Sequence, residues 1–203
     1  MFPTFQQMIE VLGKVSPPAG SVVSKRAAVA IGLRDGSSGP EMLMIQRAVK
    51  DGDPWSGHMG FPGGRKDPGD LSDVGCAKRE TWEEVGLDLD TYGELICQLS
   101  DVNTGWRADR PEMLVAPFVF VINHCPELAL NHEVDDTVWI PIHFLMDDIN
   151  RARHQWEWRG EMLESDAFTF DRRLIWGLSL MMIDELLELA GGRHNRAAHV
   201  TRA

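Results

Sequence analysis

Residues 63–87, GGRKDPGDLSDVGCAKRETWEEVGL, decide how the rest of the chain is read. Gly63-Gly64 gives a tight glycine turn, an acidic loop follows, and the spacing then predicts a helix that starts near Ser72 or Asp73 and stops at Gly86. Asp70, Ser72 and Asp73 can each cap the first turn, and Gly86 suits the left-handed position after the last one. Val74, Ala77, Thr81 and Val85 recur at helical spacing and form the expected core face. Glu80, Glu83 and Glu84 share another side, with Cys76 one turn earlier. Carboxylates three and four residues apart repel one another, so a bound cation is the simplest partner that makes the arrangement favourable.

Upstream of that stretch, residues 25–34 (KRAAVAIGLR) and 41–47 (EMLMIQR) read as two strands of a hairpin across a Gly/Ser/Pro turn. Residues 51–62, DGDPWSGHMGFP, are too rich in Gly, Pro and Asp for regular structure and read as a loop. Downstream, residues 93–100 and 113–122 read as strands joined by the loop DVNTGWRADRP, and residues 134–140 as a further strand ended by Pro141. Residues 154–159 and 167–170 suggest a late hairpin, and residues 172–190 a long amphipathic helix carrying Leu174, Ile175, Leu178, Met181, Met182, Leu186 and Leu189. At the other end Phe5, Met8, Ile9 and Leu12 mark an amphipathic helix over residues 4–15, which docks on the domain or forms a homodimer contact. The organisation is then an N-terminal helix and linker (1–24), one domain (25–192) and a disordered basic tail (193–203). Strands interleaved with helices give a mixed β-sheet between helices, an α/β or α+β sandwich.

Composition narrows the function classes. At 203 residues the chain can bury a full core without disulfides or structural metal. Cys76, Cys97 and Cys125 are odd in number and form no CxxC pair, which argues against a disulfide framework and a zinc site. A net charge of −11 disfavours extended nucleic acid as a partner, while a small anionic nucleotide remains compatible if metal and local arginines reverse the sign at the site. No apolar run approaches the roughly 18 residues needed to span a bilayer, and the first residues lack the pattern of a secretory signal. A cytoplasmic protein without a membrane partner is the expectation.

The glutamate cluster also carries a chemistry. Cleaving a phosphoanhydride requires stabilised charge on the phosphate oxygens and a positioned water, and divalent metals serve both needs. Hard Mg²⁺ or Mn²⁺ prefers carboxylate and carbonyl oxygens. Glu80, Glu83 and Glu84 supply the first, and the Gly64 carbonyl can supply the second. Glu83 and Glu84 are the expected principal ligands, with Glu80 as a third ligand or water-activating base and Arg79 orienting the group.

Gly64, Asp70, Arg79-Glu80, Glu83-Glu84, Gly86 and Leu87 resemble the Nudix box, GX5EX7REUXEEXGU with U apolar. RETWEEVGL matches closely, with Thr81 at an apolar position; Asp70 stands where Glu is standard, and one additional residue lies between it and Arg79. The resemblance implies a Nudix-type α/β/α sandwich, a metal-dependent pyrophosphohydrolase, and pairing of Asp70 with Arg79. The lead-in MLMIQRAVKDGDPWSGHMGFPGGRKDPGD and the closing LIWGLSLMMIDELL are similar to the coenzyme A pyrophosphatase branch, apart from His58 for Gln and Ser179 for Thr. That branch implies coenzyme A or acyl-coenzyme A as substrate, cut to 3′,5′-ADP and 4′-phosphopantetheine. The alternatives are a pyrophosphatase for ADP-ribose, nucleotide sugars or nucleoside triphosphates, and a Nudix module that senses a nucleotide without cleaving it. For substrate contacts the candidates are Arg47 at a strand end, and Trp106, Arg107 and Arg110 in the long loop, which can stack on adenine and hold phosphate. Glu133, Asp135 and Asp136 are candidates for a further metal ligand or the general base, or a solvated acidic loop.

Overall fold

The computed structural model describes residues 3–16, 18, 25–51, 56–104, 113–158, 160–191 and 201–202. In chain order, helix α1 (Phe5–Leu12) precedes strands β1 (Arg26–Gly36), β2 (Gly39–Arg47), β3 (Met59–Gly60) and β4 (Gly63–Arg65). Helix α2 (Asp73–Val85) leads to β5 (Gly93–Gln98), β6 (Val102–Asn103), β7 (Leu114–Ile122) and β8 (Val134–Pro141). A short helix α3 (Ile142–Leu145) and a 3₁₀ turn (Asp148–Asn150) precede β9 (Arg151–Trp158), β10 (Glu161–Phe170) and β11 (Arg173–Trp176). Helix α4 (Gly177–Leu189) and β12 (Thr201–Arg202) complete the described elements.

The expected hairpin is β1 against β2, antiparallel, with β7 running parallel to β1 from Arg26↔Leu114 to Leu33↔Val121. The large sheet runs β3-β2-β1-β7-β5, with β4 on β1, β6 on β7 and β8 on β2, so it is mixed. Side chains alternate across it. Ile31, Leu33, Met42, Met44 and Val119 join Met8 and Leu12 of α1 and Leu180, Ile183 and Leu187 of α4 in one core. Ala28, Ala30, Leu43, Ile45, Phe118 and Phe120 meet Cys76, Ala77 and Val85 of α2 in the other. Both faces are covered, so β7 is buried at every position and reads as a continuous apolar run. The result is the expected sandwich with α2 on one side and α1 and α4 on the other.

Two expectations are corrected. The helix anticipated over residues 172–190 starts only at Gly177, because Arg173–Trp176 pair with β10 as β11. Asp171 and Arg172 take φ of 46° and 65°, the left-handed pair that turns a two-residue hairpin, here without glycine. Within residues 51–62, Met59–Gly60 form β3 on the edge of β2. Residues 201–202 pair with β10, while residue 192 and residues 193–200 of the tail lie outside the described residues. No helix among the described residues is long and apolar enough to cross a membrane.

Candidate active site

Helix α2 is fixed at both ends as the sequence anticipates. The Ser72 hydroxyl accepts the Gly75 N–H at 3.0 Å, and Gly86 takes φ of 68° while its N–H closes on the Trp82 carbonyl. Asp73, in the first turn, takes Lys66 at 2.9 Å and Arg26 of β1, which docks the helix on the sheet. Thr81 is buried where an apolar residue is usual; its hydroxyl donates to the Ala77 carbonyl at 2.7 Å, so no polar atom is left unmet there.

The double glycine is a strand edge as well as a turn. Gly63 pairs with Val29 and Gly64 with Ala28. Gly63 has φ of 154°, and a Cβ there would stand 2.3 Å from the Ala28 carbonyl oxygen. A Cβ on Gly64 would fall 2.4 Å from the Glu80 carboxyl carbon. Absence of side chains therefore lets the β4 backbone lie directly against the glutamates of α2.

The three glutamates do not share one environment. Glu84 is 3% exposed, and its Oε2 accepts the Gly63 N–H at 2.9 Å. Burial, with Glu80 and Glu133 nearby, pushes its carboxyl up to about 7 against partial relief from that N–H and from Arg47. Glu80 is half-buried and is also raised by desolvation, countered by Arg79. Glu83 is the outward member, its side chain 51% exposed and tied to Arg79 at 3.0 Å.

Arg79 is the hub. Its Nε and Nη2 each reach a different Asp70 oxygen at 3.0 Å, the paired geometry that suits guanidinium and carboxylate. The same side chain meets Glu80 at 2.9 Å and donates to the Arg65 carbonyl at 3.3 Å. Asp70 also accepts the Asp67 N–H at 2.8 Å, and Arg79 above all holds its acid at about 2. The additional loop residue is thus absorbed without separating the implied pair. Burial pushes the Cys76 thiol up to about 12, and Sγ donates to the Gly64 carbonyl at 3.6 Å; it supports the turn as a neutral thiol.

Among the described residues, no three Asp, Glu, His or Cys side chains already converge as a metal cage. Arg79 supplies the positive charge for Glu80 and Glu83 in this arrangement. The donor chemistry nonetheless fits a hard divalent ion: Glu80 and Glu84 carboxylates beside the Gly64 carbonyl, all oxygen, with a nearly inaccessible carboxylate answered by one N–H. Glu83 stands beside them on the same helix, held by Arg79 at 3.0 Å.

Other candidates fall in three groups. Arg47 ends β2 where its charge acts on both Glu84 and Glu133, and Glu133 is held by Lys50 at 3.0 Å. These residues thereby adjoin the glutamates. Asp135 is exposed, and Asp136 pairs with Arg173, which assigns it to packing β8 against β11. Trp106, Arg107 and Arg110 lie outside the described residues. The roles of Arg26 and Lys66 in seating α2 were not anticipated, since a lone basic residue carries no local signal of its distant partner.

Comparison with known proteins agrees with this architecture. The family model described as NUDIX domain matches residues 23–164. An uncharacterized protein of Schizosaccharomyces pombe is 39% identical over 114 residues, covering 54% of this chain and 34% of that protein. Nudix hydrolase 15, mitochondrial, of Arabidopsis thaliana is 29% identical over 164 residues, covering 76% of this chain and 55% of its own. The chain thus spans about half or less of the length of these curated relatives. A solved MutT/nudix family protein from Enterococcus faecalis superimposes at a TM-score of 0.53 with 17% identity, over 93% of this chain and 75% of that one, which speaks for the fold. With the sandwich, the glycine edge and the Arg79-centred glutamates inside the matched segment, the chain belongs to the Nudix domain family.

Proposed function

We propose that the chain is a metal-dependent pyrophosphohydrolase that cleaves a phosphoanhydride bond in a nucleoside diphosphate derivative. The observation that carries this reading is Glu84, a carboxylate buried to 3% exposure, answered by the Gly63 N–H and set beside Glu80. Such a site favours occupation by a cation. Glu80, Glu83, Glu84 and the Gly64 carbonyl would hold Mg²⁺ or Mn²⁺, which would supply positive charge for the phosphate oxygens and lower the pKa of water there. The chain's own residues do the rest. Glu80, raised by burial and lying against Gly64, accepts a proton from the attacking water; Arg79 holds Glu80 and Glu83 in register, itself braced by Asp70; Arg47 adds positive charge on the Glu84 side for the substrate's phosphates.

The narrower reading is coenzyme A or acyl-coenzyme A, giving 3′,5′-ADP and 4′-phosphopantetheine. It is supported by contact between the two stretches that resemble that branch. Ser179 of α4 donates to the Met59 carbonyl at 3.2 Å, and Trp176 meets the His58 ring edge-on at 5.2 Å. Hydrolysis of ADP-ribose, nucleotide sugars or nucleoside triphosphates is the competing reading within the same chemistry. The intact Glu80, Glu83 and Glu84 argue against a sensing module without hydrolysis. Chromatography of products from a panel of these compounds, with and without Mg²⁺ or Mn²⁺, tests the choice. Coenzyme A left intact while ADP-ribose is consumed rejects the narrower substrate, and tight nucleotide binding with no product rejects catalysis.

A further inference from the structure

The small sheet β9-β10-β11 has two unlike faces. One carries Phe168 and Ile175 into the main core, with Asp166 on the same face meeting Arg151. The other carries His154, Trp156 and Trp176. In the pairing register His154 stands across from Ser165, Trp156 across from Leu163 and Trp176 across from Ala167. Residues directly opposite in antiparallel strands share a face. Ser165 and Ala167 are small and buried, which leaves room for the flanking rings to lie over the middle strand.

They do so as one layer. Trp176 contacts Trp156 at 4.6 Å and His154 at 5.0 Å between ring centres, both edge-on, while His154 and Trp156 are parallel within 10°. His58, from the segment before β3, closes the layer against Trp176. All four residues are half-buried, so the layer is not closed off from solvent. Burial lowers the His154 imidazole below its ordinary pKa, because the charged form is disfavoured away from water. The layer is braced from behind, where Arg151 bridges Asp166 of β10 and Asp184 of α4.

Its position matters as much as its composition. The His58 carbonyl accepts the Arg47 N–H at 3.0 Å, and the chain runs from His58 through β3 to Gly63. Five residues span at most about 17 Å even when fully extended, so the backbone of His58, where the layer begins, lies within that distance of the glycine edge. A stacking surface and a site for phosphate chemistry are thus joined by one short segment.

We infer that His58, His154, Trp156 and Trp176 form the platform on which the planar base of the nucleotide substrate lies, with its diphosphate directed to the Gly64, Glu80 and Glu84 site. This rests on the proposed reading of that site, and names where its substrate's base is recognised. Stacking is tolerant of base identity and independent of charge, which suits a protein whose net charge is −11.

The test uses AMP, which has a base and a phosphate but no anhydride to cleave, with ribose 5-phosphate and 4′-phosphopantetheine as baseless controls. Titration calorimetry of the full chain in Mg²⁺ should show Trp156→Ala weakening AMP about tenfold or more. Trp156→Phe should restore binding, and neither control should change. The inference is overturned if the folded Trp156→Ala chain binds AMP like wild type, if wild type does not bind AMP, if the loss extends to either control, or if Trp106→Ala alone abolishes binding. Should Trp156→Ala fail to fold, saturation transfer from wild-type indole protons to the adenine protons decides, and its absence overturns the platform. Because AMP is no substrate, a chain that hydrolyses nothing can still pass, while an active hydrolase with unaltered AMP binding in Trp156→Ala fails on the platform alone.

Discussion

Replacing Glu84 by Gln should stabilise the metal-free protein, and by an amount that depends on pH. The buried carboxyl stands at about 7, against 4.5 for an ordinary glutamate. As pH rises from 4.5 the unfolded chain loses this proton first, so folding is progressively disfavoured until the folded carboxyl ionises near 7. A tenfold change in proton affinity is worth about 1.4 kcal/mol, which makes the full cost about 3 kcal/mol at pH 8. Gln can keep the Gly63 N–H contact and carries no charge. With a urea dependence of about 2 kcal/mol per M, its unfolding midpoint in chelator should exceed wild type by roughly 1.5 M at pH 8 and by almost nothing at pH 4.5. Saturating Mn²⁺ should reverse the order, because binding stabilises only the chain that retains the carboxylate. A variant equal to or weaker than wild type at pH 8 in chelator, or a gain that ignores pH, would refute the claim that burial strains Glu84.

Asp70→Asn should lose about 2 kcal/mol at neutral pH, because Arg79 holds this acid at about 2; the sign is opposite to Glu84, with the wild-type advantage present above pH 4 and vanishing as pH falls towards 2 in acid denaturation. Gly64→Ala should fold, since the added Cβ meets a movable carboxylate, yet displace Glu80 and weaken Mn²⁺ binding about tenfold or more by calorimetry. Gly63→Ala should instead cost about 2 kcal/mol or more in thermal unfolding, because its Cβ meets backbone and its φ is 154°. Asp184→Ala should cost about 2–3 kcal/mol by removing the paired contact to Arg151 and leaving Asp166 to hold the guanidinium from one side, and wild-type stability in that variant would show the bridge to be idle.

What could be read in advance was written locally. Ser72 and Gly86 bound α2 by their own chemistry, and the near-continuous apolar runs of β1 and β2 mark buried strands. Glu80, Glu83 and Glu84 look equivalent in a sequence, whereas α2's seating buries Glu84 and leaves Glu83 in water; that seating combines Cys76, Ala77 and Val85 packed on the sheet with Asp73 reaching Arg26 across the fold. Residues 173–176 continue the apolar rhythm of the last helix, and only the left-handed pair Asp171-Arg172, with no glycine to signal it, turns them into a strand. Asp136 resembled a spare ligand until β11 brought Arg173 against it. The aromatic layer is assembled from three separated segments, so no window of sequence contains it.

The most direct test is turnover of the best substrate of the panel at saturating Mn²⁺ in wild type and in Glu84→Gln, both verified as folded. Loss of the ligand should remove several kcal/mol of transition-state stabilisation, about a hundredfold or more in rate. Hydrolysis at the wild-type rate in Glu84→Gln, or in chelator, would contradict the account.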